Sequence, residues 1–156
     1  GASTVIAVDW DNTYRMNLAK ELGADMVLGK DDDVVASILE ATEGRGVDNS
    51  CEFSGAASAL SNAIHSTRMG GYINILSVYG QSMPEVPMNE VVFRYLHLKG
   101  INGRKMWSTW DTMHDLLARG AIDVDKVLTH RMSIEAFEDA VQLALTGDCG
   151  KVVLDF

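Results

Sequence analysis

The first candidate for chemistry in this chain is Asp9, an acid that directly follows the apolar run of residues 5–8. Such a run predicts a buried strand, and doubly wound α/β sheets bind their ligands beyond the carboxyl ends of the strands. At the end of the second strand of a dinucleotide-binding fold, a carboxylate can accept hydrogen bonds from both adenosine ribose hydroxyls, and it repels the additional phosphate of NADP. Asp9 also precedes a predicted helix, where short polar side chains cap free amide groups. Position alone leaves both interpretations open.

A phosphate-binding glycine sequence does not accompany this acid. The fingerprint G-x-G-x-x-G lets a pyrophosphate approach bare backbone at a helix N-terminus. Gly44-Arg45-Gly46 matches only its opening, and it lies between a predicted helix and a following strand, the reverse of the required order. We interpret it as a loop that ends a helix. If Asp9 closes a second strand, we expect the first strand, the glycine loop and the first helix to precede Gly1 in a longer parent.

The residue types that hold metals are scattered along the chain. The histidines each lie alone on a predicted helix or strand: His65, His97, His114 and His130. A lone histidine of this kind is more often structural than a metal ligand. Cys51 and Cys149 lie far apart, and neither belongs to a C-x-x-C pair. We therefore predict neither a catalytic residue nor a metal ligand within this chain.

Net charge and hydropathy narrow the classes of partner. The chain has 13 Lys and Arg against 22 Asp and Glu, a formal net charge of -9, which disfavours binding to nucleic acid and to anionic lipid. No apolar run has the length needed to span a bilayer, and the first residues lack the basic and apolar regions of a signal peptide. The sequence predicts a cytoplasmic protein that binds neither nucleic acid nor membrane.

The elements that must position Asp9 alternate along the chain. Short apolar runs predict strands at residues 5–8, 26–28, 49–53, 72–77 and 96–100. Apolar residues at helical spacing predict helices at residues 14–22, 34–42, 60–67, 106–117 and 137–145. Gly23, Gly120 and Gly147 follow three of these helices, where a left-handed residue commonly ends a helix. The alternation predicts an α/β fold with a doubly wound parallel sheet, Rossmann-like, that lacks the first strand, glycine loop and helix.

Several short motifs follow one another along the chain. They are Leu18-Ala19-Lys20, Leu22-Gly23-Ala24-Asp25, Thr42-Glu43-Gly44-Arg45-Gly46-Val47-Asp48, Glu52-Phe53-Ser54-Gly55, Lys99-Gly100-Ile101-Asn102-Gly103-Arg104, Trp107-Ser108-Thr109-Trp110 and Gly147-Asp148-Cys149-Gly150-Lys151. In order and spacing they resemble zinc-type medium-chain alcohol dehydrogenases, and most closely the L-threonine 3-dehydrogenase subfamily. The Gly-Ile-x-Gly-Arg stretch and the two tryptophans that follow it are the features that favour this subfamily over other alcohol and polyol dehydrogenases.

The resemblance implies roles for individual residues. Asp9 matches the acid that binds the adenosine ribose, and Arg15 matches the arginine at the adenosine end, although the turn between them is one residue longer here. The residues matched to the nicotinamide side are Leu76, Ser77, Val78, Ile101 and Asn102. Ser77 replaces a common glycine.

The resemblance also implies a function for the parent protein. Zinc would polarise the substrate hydroxyl, a relay would remove its proton, and hydride would pass to NAD, oxidising the β-hydroxyl of L-threonine or of a related hydroxy compound. Residues 1–122 would form a truncated dinucleotide-binding domain, and residues 123–156 would return to the catalytic domain. Zinc would belong to the full-length parent only, so we expect the isolated chain to be inactive. We expect the parent to be a homo-oligomer.

Two functions from other classes remain open. A methyltransferase domain also uses an acid at the end of a strand to bind a ribose, and it would bind S-adenosylmethionine instead of NAD. A non-catalytic nucleotide-binding or scaffold fragment fits a chain that has neither a phosphate loop nor a metal site.

The missing first strand leads to an expectation about the sheet. The usual strand order is 3-2-1-4-5-6, so removal of strand 1 exposes backbone amide and carbonyl groups at its centre. Unpaired buried groups of this kind cost about 1 to 3 kcal/mol each. We expect either a second copy of the chain or its own residues 151–155 to pair there.

Overall fold

The computed structural model describes residues 1–80 and 83–156. The described residues form two compact units: Gly1–Asp31 together with Lys105–Phe156, which we call unit 1, and Asp32–Arg104, which we call unit 2. The domain division at residue 122, which the family resemblance implies, stays a prediction.

Strands and helices alternate along the described residues. The strands are β1 (Ile6–Val8), β2 (Met26–Leu28), β3 (Val47–Glu52), β4 (Thr67–Ile75), β5 (His97–Gly100), β6 (His130–Ser133) and β7 (Val152–Asp155). The α-helices are α1 (Thr13–Glu21), α2 (Val34–Ala41), α3 (Ala57–Ser66), α4 (Met88–Phe93), α5 (Ser108–Ala118) and α6 (Phe137–Thr146), and a short 3₁₀ helix spans Ile134–Ala136. All described strand pairs are parallel. The predicted α/β, Rossmann-like fold is confirmed.

The elements predicted from hydrophobic periodicity are all present, and several of them have shifted ends. β4 begins at Thr67 instead of residue 72, because Gly70 and Gly71 carry the strand through a register shift opposite β3. The hydrophobic pattern of the sequence does not predict helix α4. Its six residues are too few to show a helical repeat, and it begins directly after Pro87.

Unit 2 is built around β4. This strand pairs with β3 on one side and with β5 on the other, and helix α3 packs against β3 and β4. The core consists of Leu60 and Ile64 from α3, Ile73 from β4 and Leu96, which precedes β5. Ile64 and Ile73 are fully buried. Because β3, β4 and β5 run in one direction, the loops that follow them begin at one edge of the sheet.

Unit 1 contains two separate strand pairs. β1 pairs with β2, with Ile6 opposite Met26 and Val8 opposite Leu28. β6 pairs with β7, and α6 connects them. Gly147 ends α6 with a φ of 80°, a left-handed conformation that favours glycine.

The expectation that residues 151–155 fill the centre of a sheet is wrong. Val152–Asp155 forms a two-stranded sheet with His130–Ser133, with the register Arg131 opposite Val153. An ion pair of 2.9 Å between Arg131 Nη2 and Asp155 Oδ1 lies at the end of this ladder. Among the described strands, β7 pairs only with β6, the strand that precedes α6, and so lies at an edge and not at the centre of a sheet.

Among the described residues, no helix is both long enough and apolar enough to cross a membrane.

Candidate functional site

Asp9 lies in a tight turn between β1 and α1. Its backbone N–H donates to the carbonyl of Leu28 (3.1 Å), which continues the β1–β2 ladder. Its Oδ1 accepts hydrogen bonds from the backbone N–H of Asn12 (3.1 Å) and, more weakly, of Asp11 (3.3 Å). Asp9 therefore closes the turn before α1 through one carboxylate oxygen, whereas the side chain that caps the helix is that of Asn12. Within residues 1–80 and 83–156, no hydrogen bond or ion pair occupies Oδ2 of this half-buried side chain.

The start of α1 is held by Asn12, and Arg15 lies one turn further. Asn12 Oδ1 accepts from the backbone N–H of Arg15 (2.8 Å), and Asn12 Nδ2 donates to the carbonyl of Gly147 (2.9 Å). The Arg15 guanidinium lies beside Gly147, where an added Cβ would be 3.6 Å from Cζ. No ion pair joins Arg15 to Asp9 in the described part of the chain. The role of Arg15 at the adenosine end therefore stays a prediction.

The other acid of this turn is already paired. Lys30 Nζ lies 2.7 Å from Asp11 Oδ2, and both side chains are exposed. The hydrogen bond from Lys30 and the charge of Asp11 raise the pKa of Lys30. Asp9 and Asp11 are thus chemically distinct, because only Asp11 has a cationic partner among the described residues.

The five residues matched to the nicotinamide side lie together in unit 2. Leu76, Ser77 and Val78 follow β4, whereas Ile101 and Asn102 follow β5. Ile75 and Gly100 are opposite each other in the last register position, and the N–H of Ile101 donates to the carbonyl of Ile75 (2.8 Å). The two segments therefore leave the sheet side by side. Asp9 and Arg15 belong to unit 1.

The central polar residue at this edge of unit 2 is Glu52, for which the sequence alone predicts no role. It is the last residue of β3 and only 3% exposed. Its Oε1 accepts from the backbone N–H of Ser54 (2.7 Å), the hydroxyl of Ser54 (2.6 Å) and the N–H of Gly55 (3.0 Å). Its Oε2 accepts from the hydroxyls of Ser77 and, at 2.8 Å, Tyr79. The sequence signal for a role of Glu52 is its position at the carboxyl end of a strand, close to where Asp9 lies relative to β1.

The hydrogen bonds around Glu52 set its charge state. Burial acts to raise the pKa of this carboxyl group, but the bonds from Ser54, Ser77 and Tyr79 outweigh burial and lower the pKa to about 2. Burial and the neighbouring Glu52 raise the pKa of Tyr79. At neutral pH, Glu52 is therefore an anion that accepts hydrogen bonds, and Tyr79 is a neutral phenol that donates one.

The histidines lie on separate elements, as the sequence predicts. His65 Nδ1 is 2.8 Å from the Ser61 carbonyl, the His97 ring stacks on Tyr72 with centroids 4.4 Å apart, and His130 Nδ1 is 3.0 Å from the Thr129 hydroxyl. In the described ranges, no group of three or more His, Cys, Asp or Glu side chains is arranged to hold a metal ion.

Comparison with known proteins identifies similar chains. The family model described as zinc-binding dehydrogenase matches residues 1–119. L-threonine 3-dehydrogenase of Bacillus subtilis is 41% identical over 99% of this chain and 44% of the relative. L-threonine 3-dehydrogenase of Pyrococcus furiosus is 36% identical over 98% of this chain and 44% of the relative. The crystal structure of 2R,3R-butanediol dehydrogenase from Bacillus subtilis superposes with a TM-score of 0.89 at 29% identity, covering 100% of this chain and 44% of that one.

The chain thus spans less than half the length of the curated relatives that it matches. The family match extends from Gly1 through helix α5. Its residues fold as the parallel α/β elements of a dehydrogenase structure. On this evidence, the chain belongs to the zinc-binding dehydrogenase family.

Proposed function

We propose that this chain is the NAD-binding portion of a zinc-dependent dehydrogenase that oxidises the β-hydroxyl of L-threonine to 2-amino-3-oxobutanoate. The observation that carries the proposal is the 41% identity to L-threonine 3-dehydrogenase of Bacillus subtilis across 99% of the chain. The Gly100-Ile101-Asn102-Gly103-Arg104 stretch and the tryptophans that follow it support the same substrate class.

Asp9 supports the adenosine end of the proposal. The turn amides occupy Oδ1, and Oδ2 is left to accept hydrogen bonds from ribose hydroxyls. A carboxylate in this position repels a phosphate on the ribose, so we expect NAD to bind in preference to NADP. Arg15 is assigned to the adenosine end by the family resemblance.

The segments that follow β4 and β5 support the nicotinamide end. Leu76 and Val78 are 46% and 89% exposed, so apolar side chains are available to contact a flat ring. Ile101 and Asn102 directly follow β5, the strand that pairs with β4. When bound, NAD supplies the acceptor for a hydride from the substrate carbon. The residues of this chain would hold and orient that acceptor.

Zinc chemistry is assigned to the remainder of the parent protein. The described residues offer no cluster that fits a zinc ion, so we give no residue of this chain a catalytic role.

The test is a kinetic comparison in the complete protein that carries this chain. NADH formation is followed by absorbance with L-threonine and with 2R,3R-butanediol, the latter chosen because a structural relative is named for it. We expect a higher kcat/KM for L-threonine. A preference for butanediol would overturn the substrate assignment. Binding of NAD without oxidation of either compound would favour the non-catalytic alternative.

A further inference from the structure

Two loops of unit 2 share one buried carboxylate. The first loop, residues 53–56, follows β3, and the second loop, residues 76–79, follows β4. Glu52 binds the first loop through Oε1 and the second loop through Oε2. The backbone adds another link, since the N–H of Leu76 donates to the Glu52 carbonyl (3.0 Å). Hydrogen bonds to an ionised acceptor are stronger than those between neutral groups, so Glu52 holds both loops firmly.

Gly55 brings the two loops into direct contact. Its φ is 74°, and a Cβ added there would lie 2.8 Å from the carbonyl oxygen of Val78. A residue with a side chain would have to push the second loop away. Glu52 thus anchors the second loop by hydrogen bonds, and Gly55 of the first loop allows Val78 to lie close against it.

The side chains of the two loops divide by polarity. The hydroxyls of Ser54, Ser77 and Tyr79 turn inward to Glu52. Phe53 and Val78 remain 65% and 89% exposed. The polar groups of this segment are thus held by hydrogen bonds, and its apolar side chains are exposed to solvent. Such a segment can bind a flat, partly apolar ligand without changing its conformation.

We propose that Glu52 is a positioning residue for NAD: together with Tyr79, it holds the second loop in the conformation that contacts the nicotinamide side. The proposal rests on the proposed function, which assigns Leu76, Ser77 and Val78 to that side. An ordered loop binds more tightly because less conformational entropy is lost when the ligand arrives.

This role differs from a general contribution to stability. ADP-ribose carries the adenosine, the pyrophosphate and a ribose, but it lacks the nicotinamide. A residue that acts only through overall stability would change the affinity for NADH and for ADP-ribose alike. A residue that positions the second loop would change the affinity for NADH alone.

The test uses the complete protein that carries this chain and calorimetric titration with NADH and with ADP-ribose. The variants are Glu52→Gln, which removes the charge, and Tyr79→Phe, which removes one donor and leaves the bonds to the first loop. Each should weaken NADH binding by about five- to tenfold and change ADP-ribose binding by less than about twofold. The matched controls are Glu85→Gln and Tyr95→Phe, which alter exposed side chains of the same unit, and they should change neither affinity.

If Glu52→Gln does not fold, Tyr79→Phe alone decides the outcome. Equal weakening of NADH binding and ADP-ribose binding, or no weakening of NADH binding, would overturn the positioning role. If the unsubstituted protein binds neither ligand, the proposed function is wrong, and the positioning role of Glu52 is wrong as well. That result is seen before any substitution is made, so the two failures are distinguishable.

Discussion

At the scale of single residues, a substitution series can separate the observed role of Asp9 from its proposed role. Oδ1 accepts from the turn amides of Asn12 and Asp11, and we propose that Oδ2 accepts from a ribose. Asparagine retains an acceptor for the turn but loses the charge, whereas alanine loses both.

The first prediction concerns nucleotide selectivity. Asp9→Ala should weaken NAD binding by about ten- to a hundredfold, because hydrogen bonds to a charged acceptor contribute about 1.5 to 3 kcal/mol. Asp9→Asn should lower the preference for NAD over NADP by removing the repulsion of the phosphate. Calorimetric titration of the complete protein with both nucleotides measures this.

The control for this prediction is Asp11→Asn, which removes a charge from the same turn where Lys30 is its partner. It should leave the preference for NAD unchanged. Equal or tighter binding of NADP by the unsubstituted protein would contradict the role of Asp9.

The second prediction concerns acid stability at Glu52. Its pKa is about 2 in the folded chain, against the usual 4.5, so the carboxylate stabilises the fold fully above pH 4.5. This contribution is lost as the pH falls from about 5 towards 2, and it amounts to roughly 3 kcal/mol. Urea unfolding at a series of pH values should show that the stability gap between the unsubstituted chain and Glu52→Gln narrows as the pH falls. A gap that is independent of pH would show that the charge of Glu52 does not stabilise the fold.

At the scale of elements, Arg94 connects the end of α3 to the start of β4. Its Nη1 donates to the Ile64 carbonyl (3.0 Å), its Nη2 donates to the Thr67 carbonyl, and its own carbonyl accepts from the N–H of Gly70 (2.8 Å). The last carbonyls of a helix have no partner within the helix, and this guanidinium supplies one.

The third prediction follows from these contacts. Arg94→Met keeps an unbranched apolar chain and removes the donors, so it should lower the free energy of unfolding by about 2 kcal/mol. The matched substitution is Arg45→Met, which breaks an exposed ion pair with Asp48 and should cost less than about 1 kcal/mol. Urea unfolding of both variants tests the difference, and an equal loss of stability would contradict the capping role of Arg94.

At the scale of the whole molecule, the chain spans 44% of its relative from Bacillus subtilis, and its described residues hold no metal-binding cluster. The fourth prediction is that the isolated chain neither binds zinc specifically nor oxidises L-threonine. Metal analysis and an NADH absorbance assay on the purified chain measure this. Stoichiometric, tightly held zinc, or NADH formation that depends on threonine at an enzyme-like rate, would contradict it.

Local pattern was enough to predict much of this protein. Strands β1 and β2 and helices α1, α2 and α6 begin and end within one residue of the predicted limits, because apolar spacing records which face of an element is buried. The position of Asp9 at a strand end follows from the same pattern. The family was recognisable from motifs that lie in order along the chain.

The tertiary structure alone decided the contacts that cross between elements. Glu52 binds Ser77 and Tyr79, which follow it by 25 and 27 positions, and β7 pairs with β6 instead of filling the centre of a sheet. Helix α5 has the predicted periodicity, yet Trp110, Met113 and Leu117 remain exposed. Periodicity describes one element at a time, whereas these contacts depend on the register and direction of neighbouring strands. That information is carried by the packing of the whole unit and not by any single segment.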